Sequence, residues 1–275
     1  MSPCRIAVYL AADAAVGVVL RRGPSAWTQL IGWDRERDRF TPGQWLRARV
    51  YARRADLSPD GRLFVYIAAR HGGPAADPAV GSAWTAISRP PWFTALALWP
   101  NLGSWYGGGV FRGPRSLSLD VPCSLAAQPR LPPRRLRIDR VGAATSPWEQ
   151  RLLRDGWTLV ERGFEPRNHR RVGDRELWSK PGPDGALLVR EVLDADFRRH
   201  GDPFGELFWL EAAGELIPLD GVSWAEWDGP RLLVARDGRL LRAELTGGGL
   251  RESLLYDFNP LRPVAMPAPA WARRW

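Results

Sequence analysis

Apolar residues in this chain fall in runs of four to eight, rich in Val, Ile, Leu, Trp and Tyr and bounded by Gly, Pro, Asp and Asn. That is the pattern of short β-strands rather than of amphipathic helices. It predicts strands over Arg5–Leu10, Val16–Arg22, Trp27–Trp33, Trp45–Tyr51, Arg62–Ala69, Trp84–Ser88, Ala95–Trp99, Trp157–Arg162, Ala186–Leu193, Leu207–Glu211, Glu215–Leu219, Arg231–Arg236 and Arg239–Leu245. Ala213-Gly214 and Asp237-Gly238 separate pairs of these runs and supply the positive φ angles of tight hairpin turns. One segment departs from the pattern. Ser146-Pro147-Trp148-Glu149 offers an N-cap serine, a proline at the first helical position and a glutamate three residues after the cap, and Gly156 closes the segment. A short helix near 147–155 follows.

Many short strands with one short helix define an all-β protein, and roughly 18 to 20 strands make about five four-stranded blades. Internal similarity favours that arrangement. Leu57-Ser58-Pro59-Asp60-Gly61-Arg62-Leu63-Phe64-Val65-Tyr66 resembles the repeat of TolB-type and WD-type β-propellers, in which such a turn leads into an apolar blade strand. Gly182-Pro183-Asp184-Gly185 ahead of Ala186-Leu187-Leu188-Val189, and Trp227-Asp228-Gly229-Pro230 ahead of Arg231-Leu232-Leu233-Val234, carry weaker copies. The resemblance spans about residues 57–70, 180–193 and 222–245. The spacing is uneven and the central third has no copy, so the expectation is an irregular β-propeller-like array in one domain, 1–275, with an extended C-terminal tail over 261–275. An irregular β-sandwich is the alternative.

The apolar share of 45% supports a real core, and no run is long enough to span a bilayer as a helix. An acidic Asp13 inside the first apolar stretch suits a hairpin turn better than an export signal. The expectation is therefore a cytoplasmic protein in which Cys4 and Cys123 are reduced thiols. A formal charge of +9 points to polyanions, yet 38 of the 39 basic residues are Arg and Lys180 is the sole lysine, as codon bias in a GC-rich genome would give. Distribution says more than the total. Residues 130–175 hold 12 basic against 6 acidic groups, and residues 180–260 hold 9 against 15. Arg134, Arg135, Arg137, Arg170 and Arg171, with Arg130, Arg140 and Arg167, form a candidate basic face.

Catalytic signatures are missing. There is no Gly-x-Ser-x-Gly, His-Glu-x-x-His or P-loop, and the triple glycine at 107–109 opens no dinucleotide fingerprint. His71, His169 and His200 stand in loop-like surroundings, and Asp194, Asp196 and Asp202 match no complete metal loop. No catalytic residue, metal or cofactor is expected. Aromatic density is the unusual feature, with Trp84, Trp92, Phe93, Trp99, Trp105 and Tyr106 inside 23 residues. Rings in loops are either packed or kept for a partner, which makes Arg89, Trp92, Trp105 and Tyr106 the candidate partner-binding residues. Three functions fit: a non-catalytic protein-interaction module, a carbohydrate-binding or carbohydrate-processing propeller using 84–106, and a nucleic-acid binder using the 130–175 arginines.

Overall fold

In the computed structural model, β1 (Arg5–Leu10) and β2 (Val16–Arg22) form the first hairpin in the register Arg5↔Arg22 to Leu10↔Gly17. The structure describes residues 2–23, 26–70, 80–101, 103–120, 132–140, 146–167, 171–194, 204–246 and 249–275. Strand accounts for 57% of the chain and helix for 8%, so the protein is all-β, and its five small sheets are the blades of a five-bladed β-propeller. The sandwich alternative, which needs two facing sheets, is set aside. The chain divides into two compact units, 1–151 with 258–275 and 152–257.

Unit 1 holds three sheets. The first runs β1-β2-β3-β4, with β3 at Thr28–Asp34 and β4 at Arg39–Leu46. The carboxylate of Asp34 ties its last turn by accepting from the backbone N–H groups of Glu36 and Arg37 and from the Arg37 guanidinium. The strand expected over Trp45–Tyr51 is instead two pieces, because pairing with β3 ends at Leu46 and a new strand, β5 (Arg49–Val50), starts the second sheet. Half-buried β4 alternates polar and apolar positions, so its first half carries no apolar run to be read.

The second sheet is ordered β5-β7-β8-β9, with β7 at Phe64–Ala69, β8 at Ala83–Ser88 and β9 at Ala95–Asn101, and with β6 (Asp56–Leu57) also paired to β7. Every residue of β7 and β8 is buried, which is why both read as continuous apolar runs. The Ser58-Pro59-Asp60-Gly61 turn joins β6 to β7. Ser58 Oγ donates to Asp60 Oδ1 at 2.6 Å and accepts from the N–H of Leu63 at 2.9 Å, while Gly61 takes φ +72°. Glycine is needed there because side chains rarely tolerate that conformation. The third sheet is smaller, β10 (Gly109–Gly113), β11 (Ser116–Leu119) and β12 (Arg137–Arg140), and β12 pairs parallel to β11.

Helix α1 (Pro147–Arg154) has the expected cap, with the N–H of Glu149 donating to Ser146 Oγ at 3.2 Å. From its last turn, unit 2 continues with a five-stranded meander, β13 (Thr158–Arg167), β14 (Arg171–Pro181), β15 (Leu187–Asp194), β16 (Phe204–Ala212) and β17 (Glu215–Pro218). A four-stranded one follows, β18 (Val222–Asp228), β19 (Arg231–Arg236), β20 (Arg239–Thr246) and β21 (Gly249–Asp257). Charge pairs link neighbouring strands: Arg162 to Glu176, Arg175 to Glu191, and Arg190 to Glu206 at 2.5 Å. The chain then returns to unit 1. Phe258 is buried edge-on against Phe40, its carbonyl accepts from Arg21 Nε at 2.9 Å, and Asn259 Oδ1 accepts from the N–H of Cys4.

Candidate functional site

The aromatic-rich segment divides sharply. Trp84, Phe93 and Trp99 are buried in unit 1, whereas Trp105 is 72% and Tyr106 60% exposed. The four candidate partner-binding residues also fall into two groups. Arg89 and Trp92 lie in the turn between β8 and β9, and Trp105 and Tyr106 lie beyond the far end of β9. Pairing runs from Ser88↔Ala95 at the turn to Ala83↔Asn101 at the other end, a length of roughly 20 Å at about 3.3 Å per residue. The two groups therefore stand at opposite ends of the hairpin.

The Trp105–Tyr106 loop has a fixed backbone. Buried Asn101, the last residue of β9, donates from Nδ2 to the carbonyl of Tyr106 at 2.9 Å and to Thr85 Oγ1 at 3.3 Å. Thr85 Oγ1 in turn accepts from the N–H of Gly108 at 2.8 Å. Arg54 reaches the loop from 50 residues away, donating to the carbonyl of Ser104 at 2.8 Å. Asp120 closes the far side, with its N–H donating to the carbonyl of Gly108 at 3.0 Å and its carboxylate accepting from the N–H of Gly107 at 3.4 Å. Burial lowers the Arg54 pKa below its usual value, with Asp120 opposing. Gly107 and Gly108 take φ of +119° and +81°, and a Cβ on Gly108 would lie 1.8 Å from the carbonyl oxygen of Arg54. The two large rings are thus held outward on a loop whose polar groups are bonded inward, an arrangement suited to docking with little ordering cost.

The candidate basic face draws on residues of both units. Arg134, Arg135, Arg137 and Arg140 are all exposed in and before β12, and Arg137 pairs with Asp139 at 3.1 Å. Arg171 opens β14 in unit 2, and Arg167 is the last residue of β13. Arg130, Arg170, Cys123, His71, His169, His200, Asp196 and Asp202 lie outside the described residues, as does the side chain of Asp194. Among the described residues no three His, Cys, Asp or Glu side chains gather as metal ligands. Cys4 is buried, with its side chain hydrogen-bonded to Arg21.

One polar cluster was not anticipated. Lys180 Nζ lies 2.7 Å from Glu226 Oε1, and the indole N–H of Trp157 donates to Glu226 Oε2 at 2.9 Å. Burial raises the carboxyl of Glu226 above its usual 4.5, opposed first by the Lys180 charge. Its members satisfy one another, and the arrangement is that of a structural pair within unit 2. A sole lysine among 38 arginines was the available signal. Compared with known protein families and with curated protein sequences, the chain matches none.

Proposed function

We propose that this β-propeller is a non-catalytic protein-interaction module whose partner docks on Trp105 and Tyr106. The observation that carries the reading is the exposure of both rings on a loop anchored by Asn101, Thr85, Arg54 and Asp120. Large aromatic residues on a preorganised support are the commonest source of binding energy at protein interfaces. Kinship with TolB-type or WD-type propellers belongs to the same proposal. It is supported by the three Pro-Asp-Gly or Asp-Gly-Pro turns, each of which joins adjacent strands, β6 to β7, β14 to β15 and β18 to β19. A cytoplasmic location is part of the reading, and among the described residues no helix is long and apolar enough to cross a membrane.

The test is differential capture from the native cell. Wild-type bait and Trp105→Ala/Tyr106→Ala bait, matched for melting temperature, are compared by quantitative mass spectrometry after nuclease treatment. A protein retained by the wild type and reduced at least tenfold on the double variant supports the reading. That loss corresponds to about 1.4 kcal/mol, below the typical worth of one aromatic hot spot. Identical partner sets on both baits overturn it. The organisation as one domain carries its own expectation, a single cooperative thermal transition seen alike by fluorescence and calorimetry. Two separated transitions would divide the protein at the 151/152 and 257/258 boundaries.

A further inference from the structure

The positive charge of the protein resides in one unit. Unit 1 contains 24 basic and 10 acidic residues, a formal +14, and unit 2 contains 15 basic and 20 acidic residues, a formal −5. The way arginine is used differs as well. In unit 2 each of the ten cationic side chains described, Lys180 included, has a carboxylate within ion-pair distance, several of them on neighbouring strands. In unit 1, Arg21, Arg35, Arg54, Arg89 and Arg151 donate to backbone carbonyl oxygens. Arg49, Arg53 and Arg70 lie over aromatic rings. Ten acids cannot neutralise 24 arginines in any pairing.

Part of that charge converges. The carbonyl of Arg274 accepts from Arg89 Nε at 2.8 Å, which brings the end of the chain to the β8–β9 turn. The adjoining Trp275 packs on the apolar cluster that contains Leu136 and against which Ile138 also packs. Leu136 and Ile138 alternate with the exposed Arg135 and Arg137, and Arg134 precedes them. Exposed Arg273 and Arg274 directly precede Trp275, so they and the arginines flanking Leu136 border the same apolar cluster. Residues 258–275 and 87–101 contain no acid at all, and Asp139 is the one carboxylate of the 132–140 segment. On the same tail Trp271 is 57% exposed.

We propose that Arg89, Arg134, Arg135, Arg137 and Arg274, with Trp271, form a binding surface for single-stranded nucleic acid. The guanidiniums take backbone phosphates and the indole stacks on a base. Arginine is suited to phosphate because its planar fork donates two parallel hydrogen bonds. An exposed ring beside such a row favours an unpaired strand, because bases within a duplex offer no free face. This surface is distinct from the Trp105–Tyr106 loop, at the other end of the β8–β9 hairpin.

The test is fluorescence anisotropy of full-length protein with a labelled 20-nucleotide oligo(dT), the matching duplex, and heparin. The expected result is preference for the single strand, and affinity that falls by at least about tenfold between 50 and 200 mM salt as counterions are released. Arg134→Glu/Arg135→Glu/Arg274→Glu should weaken binding at least thirtyfold, whereas Arg39→Glu/Arg47→Glu/Arg262→Glu, with the same charge change elsewhere on unit 1, should weaken it less than fivefold. Trp271→Ala should lower affinity for the oligonucleotide about tenfold, the usual worth of one stacked base, and leave heparin binding unchanged. Equal losses from the two triple variants overturn the proposal. So does a Trp271→Ala variant that binds the single strand like the wild type.

Discussion

Gly108→Ala is expected to destabilise the protein by about 3 kcal/mol and to abolish partner capture by the aromatic loop. Two independent costs combine. The residue has φ +81°, where a Cβ costs roughly 1–2 kcal/mol. That Cβ would also lie 1.8 Å from a backbone oxygen of Arg54, so the side chain cannot simply rotate away, and overpacking of this kind costs about 1–3 kcal/mol. Moving Arg54 would break its bond to Ser104, and shifting Gly108 would break its bonds to Thr85 and Asp120. Thermal melting should show a drop of roughly 5–10 °C for a protein of this size. Gly113→Ala is the control. Nothing lies within 4 Å of its missing Cβ and its φ is not left-handed, so it should change stability by less than about 0.5 kcal/mol. A Gly108→Ala protein that melts and captures like the wild type would show that the loop is not held as described.

Much of the fold was legible where chemistry is local. Arg5–Leu10, Val16–Arg22 and Arg231–Arg236 are strands with the expected ends, because both ends are set by turn residues. Ala213 and Gly214, and Asp237 and Gly238, take the positive φ pairs that a two-residue hairpin needs. The helix was legible from its cap. Two short buried strands, Gly109–Gly113 and Ser116–Leu119, were missed, and so were strands rich in charge pairs. Arg171–Pro181 carries charged residues whose partners are on other strands, Glu176 with Arg162 and Arg175 with Glu191, and cross-strand pairs of this kind are invisible until the register is known. Gly249–Asp257 escaped for the same reason. Glu252 pairs with Arg236, and Arg251 with Glu244. Arg137–Arg140 has one apolar residue and becomes a strand only through parallel pairing with Ser116–Leu119.

The candidate site was legible as composition but not as arrangement. The sequence puts Trp99 at the end of a strand run and Trp105 in a loop, but not the holding of that loop, which is made by Asn101 turning back to Tyr106 and by Arg54 arriving from the 52–54 turn. Likewise the arginines of 130–175 read as one stretch, but the chain passes from unit 1 to unit 2 after residue 151, within that stretch. Leu136, beside Arg135, instead shares an apolar cluster with Trp275 from the far end of the chain. Long-range closure of this kind has no local signal.

The second large effect is expected for Lys180→Met, and its size should depend on pH. Glu226 is already held above its usual 4.5 by burial, and Lys180 is the strongest of the influences pulling it back down. Removing the ammonium raises the folded carboxyl further. The native state then keeps a proton that the unfolded chain releases near 4.5, so stability falls as pH rises through the window from 4.5 to the folded value. At pH 8 the loss should reach about 3–5 kcal/mol, the range for stranding one member of a buried pair. At pH 4.5 most of it should vanish, because the folded carboxyl is then neutral and the unfolded one only half ionised. Adding Glu226→Gln to Lys180→Met removes the titrating group and keeps an oxygen that accepts from the Trp157 indole N–H, which in the native protein is made at 2.9 Å. The double variant should therefore regain most of the stability at pH 8 and show a flatter profile. Urea unfolding at pH 5, 6.5 and 8 checks this. A loss from Lys180→Met that is the same at all three values, with no recovery in the double variant, would assign the role of Lys180 to packing of its alkyl stem rather than to its charge.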